Sequence, residues 1–170
     1  GEQFPLPILH PSLHVLLTPP YLFEAPLWFH RFWQAFLRLA LVGLIVPALM
    51  TRLAIQDRAV KIFAGMWMIL FLLMGPIYLH LAVPVLILLY GFSLQRPTQA
   101  WFAVLLASIW AGTSRINWYV MPGMIAVVLY FLEVPDKGKS IWSDLLKPAL
   151  WFFVGTVIAY LSMQIYIAFS

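Results

Sequence analysis

The densest group of chemistry-bearing residues is the run Gly112-Thr113-Ser114-Arg115-Ile116-Asn117-Trp118-Tyr119, where a guanidinium, two hydroxyls and a carboxamide sit beside two amphipathic aromatics. A guanidinium fork meets a phosphate or carboxylate with two parallel hydrogen bonds. Ser114, Asn117 and the free backbone N–H groups at the start of the following helix can add further donors. Trp118 and Tyr119 suit the level of lipid headgroups. The chemistry expected of this loop is capture of the phosphate of a lipid or lipid-linked substrate, with Arg115 as the main contact. The plainer role for Arg115 is to cap helix ends and snorkel to ordinary headgroups.

Acid and base groups are few. His80, four residues before Pro84, can exchange a proton or accept a hydrogen bond from a substrate, and structural hydrogen bonding is its simpler role. Glu24 and Glu2 are the carboxylates available beside it, and Glu24 serves equally to complement the first turn of the helix after Pro26. Glu24 and His80 are therefore the candidate catalytic residues. His10 and His14 have the four-residue spacing of a metal pair but lack a third ligand, so no metal and no cofactor is expected. One helical histidine cannot supply two axial haem ligands. Asp57, Glu133, Asp136 and Asp144 fall with the cytoplasmic loops, where Asp136 and Asp144 lie among lysines and balance them. There is no Ser-His-Asp order, Walker loop or dinucleotide fingerprint.

The elements that must position these residues belong to a membrane. Of 170 residues, 64% are hydrophobic and 9% charged, against roughly a quarter charged in ordinary globular chains. So few charges cannot cover the outside of a soluble fold. This composition excludes a disordered chain and a nucleic-acid-binding module, and the absence of cysteine excludes a disulfide-stapled domain. A spanning helix takes about 20 apolar residues, and six stretches approach that length. The expected fold is an all-α polytopic transmembrane bundle with helices at about 32–50, 59–75, 78–94, 98–112, 117–132 and 149–169. Two tight hairpins turn at Gly75-Pro76 and at Thr113 to Ile116.

Basic residues in short loops are retained on the cytoplasmic side. Arg52, Arg58, Lys61, Arg96, Lys137, Lys139 and Lys147 fall on one side, and Arg31, Arg115 and Arg38 on the other. Both termini are thus expected outside the cytoplasm, in a bacterial inner membrane. Arg115 then stands where the other basic residues are avoided, and a charge there calls for an anionic partner. Residues 1–26 carry six of the thirteen prolines and are expected to form an interfacial or re-entrant cap over the transmembrane domain at 27–170. Ser12 can cap a turn or two before Thr18-Pro19-Pro20 stops it. A cleavable signal peptide is not expected, because no basic residue precedes Arg31. Starting on Gly, the chain is expected to be processed or part of something longer.

From the first hairpin through Ser114-Arg115-Ile116-Asn117-Trp118-Tyr119 to Pro122 and Leu129-Tyr130-Phe131-Leu132-Glu133, the sequence resembles the later transmembrane part of GT-C-type glycosyltransferases. The resemblance covers about 59–133. It implies a polyprenyl-phosphate-linked sugar as ligand at the outer face, with Arg115 on the lipid phosphate. The family's catalytic carboxylate, in an early external loop, has no counterpart here, which implies a portion or reduced relative lacking the catalytic half. Lipid phosphatases also place Ser-Arg in an outer loop, but their accompanying histidine elements are missing. Two other functions fit the residues: a non-catalytic subunit packed against a larger membrane partner, and a small transporter whose path follows the breaks at Gly75, Pro84 and Pro122.

Overall fold

In the computed structural model, residues 11–75, 78–114, 116–134 and 141–169 are described, and among them every regular element is helical. Proline sets several helix starts, because its fixed φ suits a first turn and its missing N–H costs nothing there. α1 (Pro11–Leu17), α2 (Pro19–Leu22) and α6 (Pro97–Gly112) begin on proline, α3 (Leu27–Arg52) follows Pro26, and α7 (Met121–Glu133) carries Pro122 in its first turn. α4 (Arg58–Leu73) is capped by Asp57, whose Oδ1 accepts the Val60 N–H at 2.9 Å. α5 (Ala82–Gly91) continues from a 3₁₀ turn at Leu79–Leu81, and α8 spans Ile141–Phe169.

The six expected helical segments correspond to α3–α8, with informative differences at their ends. The third arm, expected at 78–94, is shorter: Phe92 turns extended, and the Arg52 side chain takes the Leu89 and Phe92 carbonyls. The fifth, expected from 117, begins as a 3₁₀ turn at Ile116–Trp118 and becomes α-helical at Met121, with Pro122 in the first turn, where its missing N–H costs nothing. Pro148 does not open the last helix but lies inside it, as Pro47 lies inside α3. A proline forfeits one ladder bond, and neighbouring helices can carry such an interruption in an apolar setting.

Contacts at both ends show the helices running up and down. At one end Arg52 of α3 reaches the end of α5 and pairs with Glu133 at the end of α7. At the other, Ser12 of α1, His80 and Trp110 and Ser114 at the end of α6 are joined. Between them α6, α7 and α8 pack through small residues. Ala100, Ala103, Ala107 and Ala111 form a buried stripe on α6. A Cβ at Gly155 would lie 2.9 Å from the Gly123 Cα, and one at Gly112 would lie 2.1 Å from the Ala159 carbonyl oxygen. Such backbone approach gains dispersion contact where lipid or protein surrounds the helices. At the α5–α6–α8 junction Trp101 stacks on Trp151 with ring centroids 3.8 Å apart, and Phe92 meets Trp151 edge-on.

Two helices, Leu27–Arg52 and Leu145–Phe169, are long and apolar enough to cross a membrane, and only 22% and 17% of their most apolar windows are buried inside the protein. Their remaining apolar surface faces outward. So does that of α4, which packs on α3 yet buries none of its own residues and exposes Phe63, Trp67 and Leu70.

Two outcomes are expected. Gly155→Leu, which drives a side chain into the α7 backbone, should cost about 1–3 kcal/mol or more, read as a lowered thermal midpoint in mild detergent; Gly43→Leu, with nothing within 4 Å, should not. Glu133→Gln should cost about 1.5–3 kcal/mol through its charged hydrogen bonds. The double replacement Arg52→Met/Glu133→Leu should recover part of that loss, because it leaves no uncompensated charge.

Candidate functional site

Arg115 lies outside the described residues, as do Glu2 and His10; its neighbours are described. Ser114 is buried, 1% exposed, and its Oγ donates to the Trp110 carbonyl and lies 2.7 Å from the Ser12 Oγ, across 102 positions of sequence. Its hydroxyl is thus engaged in holding α1 against the end of α6. Asn117 is exposed, and Trp118 and Tyr119 are half-buried, with Tyr119 edge-on to Tyr160 of α8. The site residues expected in this loop therefore divide: Ser114 ties elements together, while Asn117 faces outward.

Glu24 is exposed and terminates α2. Its φ of 47° puts it in the left-handed region, and the following Ala25 N–H donates to the Pro20 carbonyl at 3.0 Å. That is the six-to-one bond of a helix stop, a place where a non-glycine residue is mildly strained. His14 lies on α1, where its carbonyl accepts from Thr18 Oγ1. No group of three metal-ligating side chains occurs among the described residues.

His80 is buried, 3% exposed, in the 3₁₀ turn before α5, and its carbonyl accepts the Trp110 indole N–H at 2.8 Å. It lines a cavity of about 860 Å³ whose wall, floor and roof come from three elements. The wall is α3, which presents Arg31, Gln34, Ala35, Arg38 and Leu39. Spacings of three, four and seven residues put Arg31, Gln34 and Arg38 on one helix face. The floor is the turn after α4, where Gly75, Tyr78 and Leu79 join His80, and the roof is Leu13 and Leu17 of α1. The roof is held by the Ser12–Ser114 contact and by the Trp33 indole N–H donating to the Leu16 carbonyl at 2.9 Å.

Arg38 is the unusual member. It is eleven residues into α3 and fourteen from its end, about 16 Å and 21 Å along the axis at 1.5 Å per residue. A cation near the middle of an apolar helix is costly unless something anionic or wet attends it. The ion pair formed among the described residues is that of Arg52 with Glu133, and no described carboxylate pairs with Arg31 or Arg38. Arg38 instead reaches the floor: a Cβ at Gly75, whose φ is +86°, would begin 3.0 Å from its Nη2.

Sequence reasoning counted Arg31 and Arg38 only as charges on the outer side and passed over Gln34. The signal that finds them is their shared face on a helix otherwise built of aromatics and aliphatics. What the arrangement can do is hold an anion against two guanidinia while apolar residues from α1 and α3 contact an attached hydrocarbon. Ser114→Ala should loosen the roof by about 1 kcal/mol, the worth of one hydrogen bond. Hydrogen exchange of the α1 amides should then be about fivefold faster, with the α6–α8 core unchanged.

Comparison with known protein families, curated proteins and solved structures finds no match to this chain.

Proposed function

We propose that this protein is a polytopic membrane protein that binds a lipid-linked phosphate at its outer face, in the cavity between α1, α3 and the turn after α4. α3–α8 are its membrane passages and both termini lie outside the cytoplasm, as the distribution of basic residues favours. The observation that carries this reading is Arg38: a guanidinium near the middle of a long apolar helix, opening with Arg31 and Gln34 into a cavity whose other walls are largely apolar. A cationic patch joined to an apolar surface is complementary to an anionic head on a hydrocarbon tail, which is the chemistry of a polyprenyl phosphate.

Asn117 stands at the same end of the molecule, and Arg115, two residues before it in the sequence, is the loop's cation. The loop that carries them starts at Ser114, the residue that fixes the cavity's roof. The resemblance to the later part of GT-C-type glycosyltransferases agrees with a polyprenyl-phosphate-linked sugar as ligand. Glu24 does not line the cavity, which favours binding over hydrolytic or transfer chemistry by this chain alone, and a larger membrane partner would supply the catalytic carboxylate. The exposed apolar face of α4 gives such a partner, or lipid, a surface to cover.

Binding of a polyprenyl phosphate in mild detergent tests the proposal. Loss of one charged hydrogen-bonding partner is worth about 1.5–3 kcal/mol, so Arg38→Ala and Arg31→Ala should each weaken binding about tenfold or more. Arg115→Ala is measured in parallel. Unchanged affinity in all three variants would refute the proposal.

A further inference from the structure

A separate cavity, of about 470 Å³, opens at the other end of the bundle, beside the Arg52–Glu133 pair. Its size falls within the range of small-molecule sites, about 300–1,000 Å³. It lies where α3, α5 and α7 end and α6 begins, and the Arg52 contacts tie the first three of these together. Those walls are set before any ligand arrives, so a ligand need not order them.

Most polar groups around it are already engaged. One Glu133 oxygen pairs with Arg52 and the other accepts the Leu94 N–H. The Leu89 and Phe92 carbonyls accept from Arg52. The Thr51 and Tyr90 hydroxyls donate to the Ala48 and Leu44 carbonyls, at 2.7 and 3.1 Å. Four lining side chains remain, Ser93, Gln95, Arg96 and Gln99, and none of them makes a hydrogen bond or ion pair among the described residues. Arg96 brings five N–H donors and no acceptor, each carboxamide can turn its NH2 inward, and the serine adds an O–H. Because Arg52 and Glu133 neutralise each other, the lining carries the charge of Arg96 alone.

These leftovers select a ligand. A cation would meet no unused carboxylate, and a hydrocarbon tail would face mostly polar side chains. A guanidinium flanked by two amides and a hydroxyl offers more donors than the two oxygens of a carboxylate use, and suits the several oxygens of a phosphate. The volume leaves room for a small hydrophilic group attached to that phosphate. Arg58, Lys61 and Lys147 are exposed at this end of the bundle, and their field raises the local concentration of anions. We infer that this cavity binds a compact phosphate ester, with Arg96 as the charged contact and Gln95, Gln99 and Ser93 as further donors. Such an ester is either a soluble metabolite or the headgroup of an anionic lipid. The inference is independent of the phosphate reading of the first cavity, with which this one shares no lining residue.

The test uses the full chain in phosphatidylcholine nanodiscs and reads hydrogen exchange over residues 93–99, where occupation of the first cavity does not register. Glycerol 3-phosphate is titrated in one arm, and phosphatidylglycerol replaces part of the phosphatidylcholine in the other. At least one probe should slow exchange there. Arg96→Gln should raise the concentration needed for half-protection about tenfold or more, as loss of a charged hydrogen-bonding partner does, and Gln99→Ala should raise it several-fold. Lys61→Gln removes the same charge from the same end but outside the lining, and should leave it unchanged. Both replaced lining side chains are exposed, so neither variant disturbs the core. Protection by glycerol 3-phosphate assigns a soluble ester; protection by phosphatidylglycerol alone assigns a lipid headgroup. Absence of protection by either probe overturns the inference, and so does a loss in Lys61→Gln equal to that in Arg96→Gln, which would mark a diffuse charge effect.

Discussion

The Arg52 guanidinium holds the ends of three helices in one place. It donates to the Leu89 and Phe92 carbonyls of α5 and pairs with Glu133 of α7, and the other oxygen of Glu133 accepts the Leu94 N–H at 2.7 Å. The last carbonyls of a helix have no partner within it and carry the negative end of its dipole, so a cation belongs there. A carboxylate at the end of α7 is by itself badly placed. The same arginine compensates it, and the backbone N–H beyond α5 satisfies what remains. Because these groups are four-fifths covered, the pairing constrains the chain strongly: α5 must stop near Gly91, and α3 and α7 must end at the same level.

That constraint defines the rest by contrast. With the ends of α3, α5 and α7 pinned at one end, the opposite half of α3 lines the open cavity. The α4–α5 turn falls at the depth of Arg38, and α1 closes the space above it. Where the helices must stay together, glycine and alanine on α6, α7 and α8 let their backbones approach to a distance no larger side chain permits. Close packing of α6, α7 and α8 thus follows from the small residues they carry, while the open, cationic space lies beside α3. α3 is rich in aromatics toward its start, where Phe32 and Trp33 each stack on Phe36 and the Trp33 indole also reaches α1.

The Ser12–Ser114 contact illustrates what a loop motif conceals. By type and position, Ser114 beside Arg115 reads as a phosphate ligand, and its hydroxyl turns out to be buried between two elements. His80 similarly sits at a crossroads: its carbonyl is fixed by Trp110, and the residue lines the cavity that α3 dominates. Residue type announces chemical capability; the neighbours decide whether that capability is used for holding the fold or for meeting a ligand.

The all-helical class, the helical segments α3–α8 and the apolar, sparsely charged character of the chain were legible from the sequence, because each follows from local rules: the period of apolar residues, the breaks made by glycine and proline, and the cost of desolvating charge. The helix ends were legible only to within a few residues. Whether Pro148 starts a helix or rides within one, and where α5 stops, depend on side chains arriving from distant positions. The gathering of Arg31, Gln34 and Arg38 with Leu13, Leu17 and Gly75 was beyond sequence reasoning for the same reason. A helical face is written in seven residues, but the elements that close it into a cavity come from both sides of α3, and only tertiary packing brings them there.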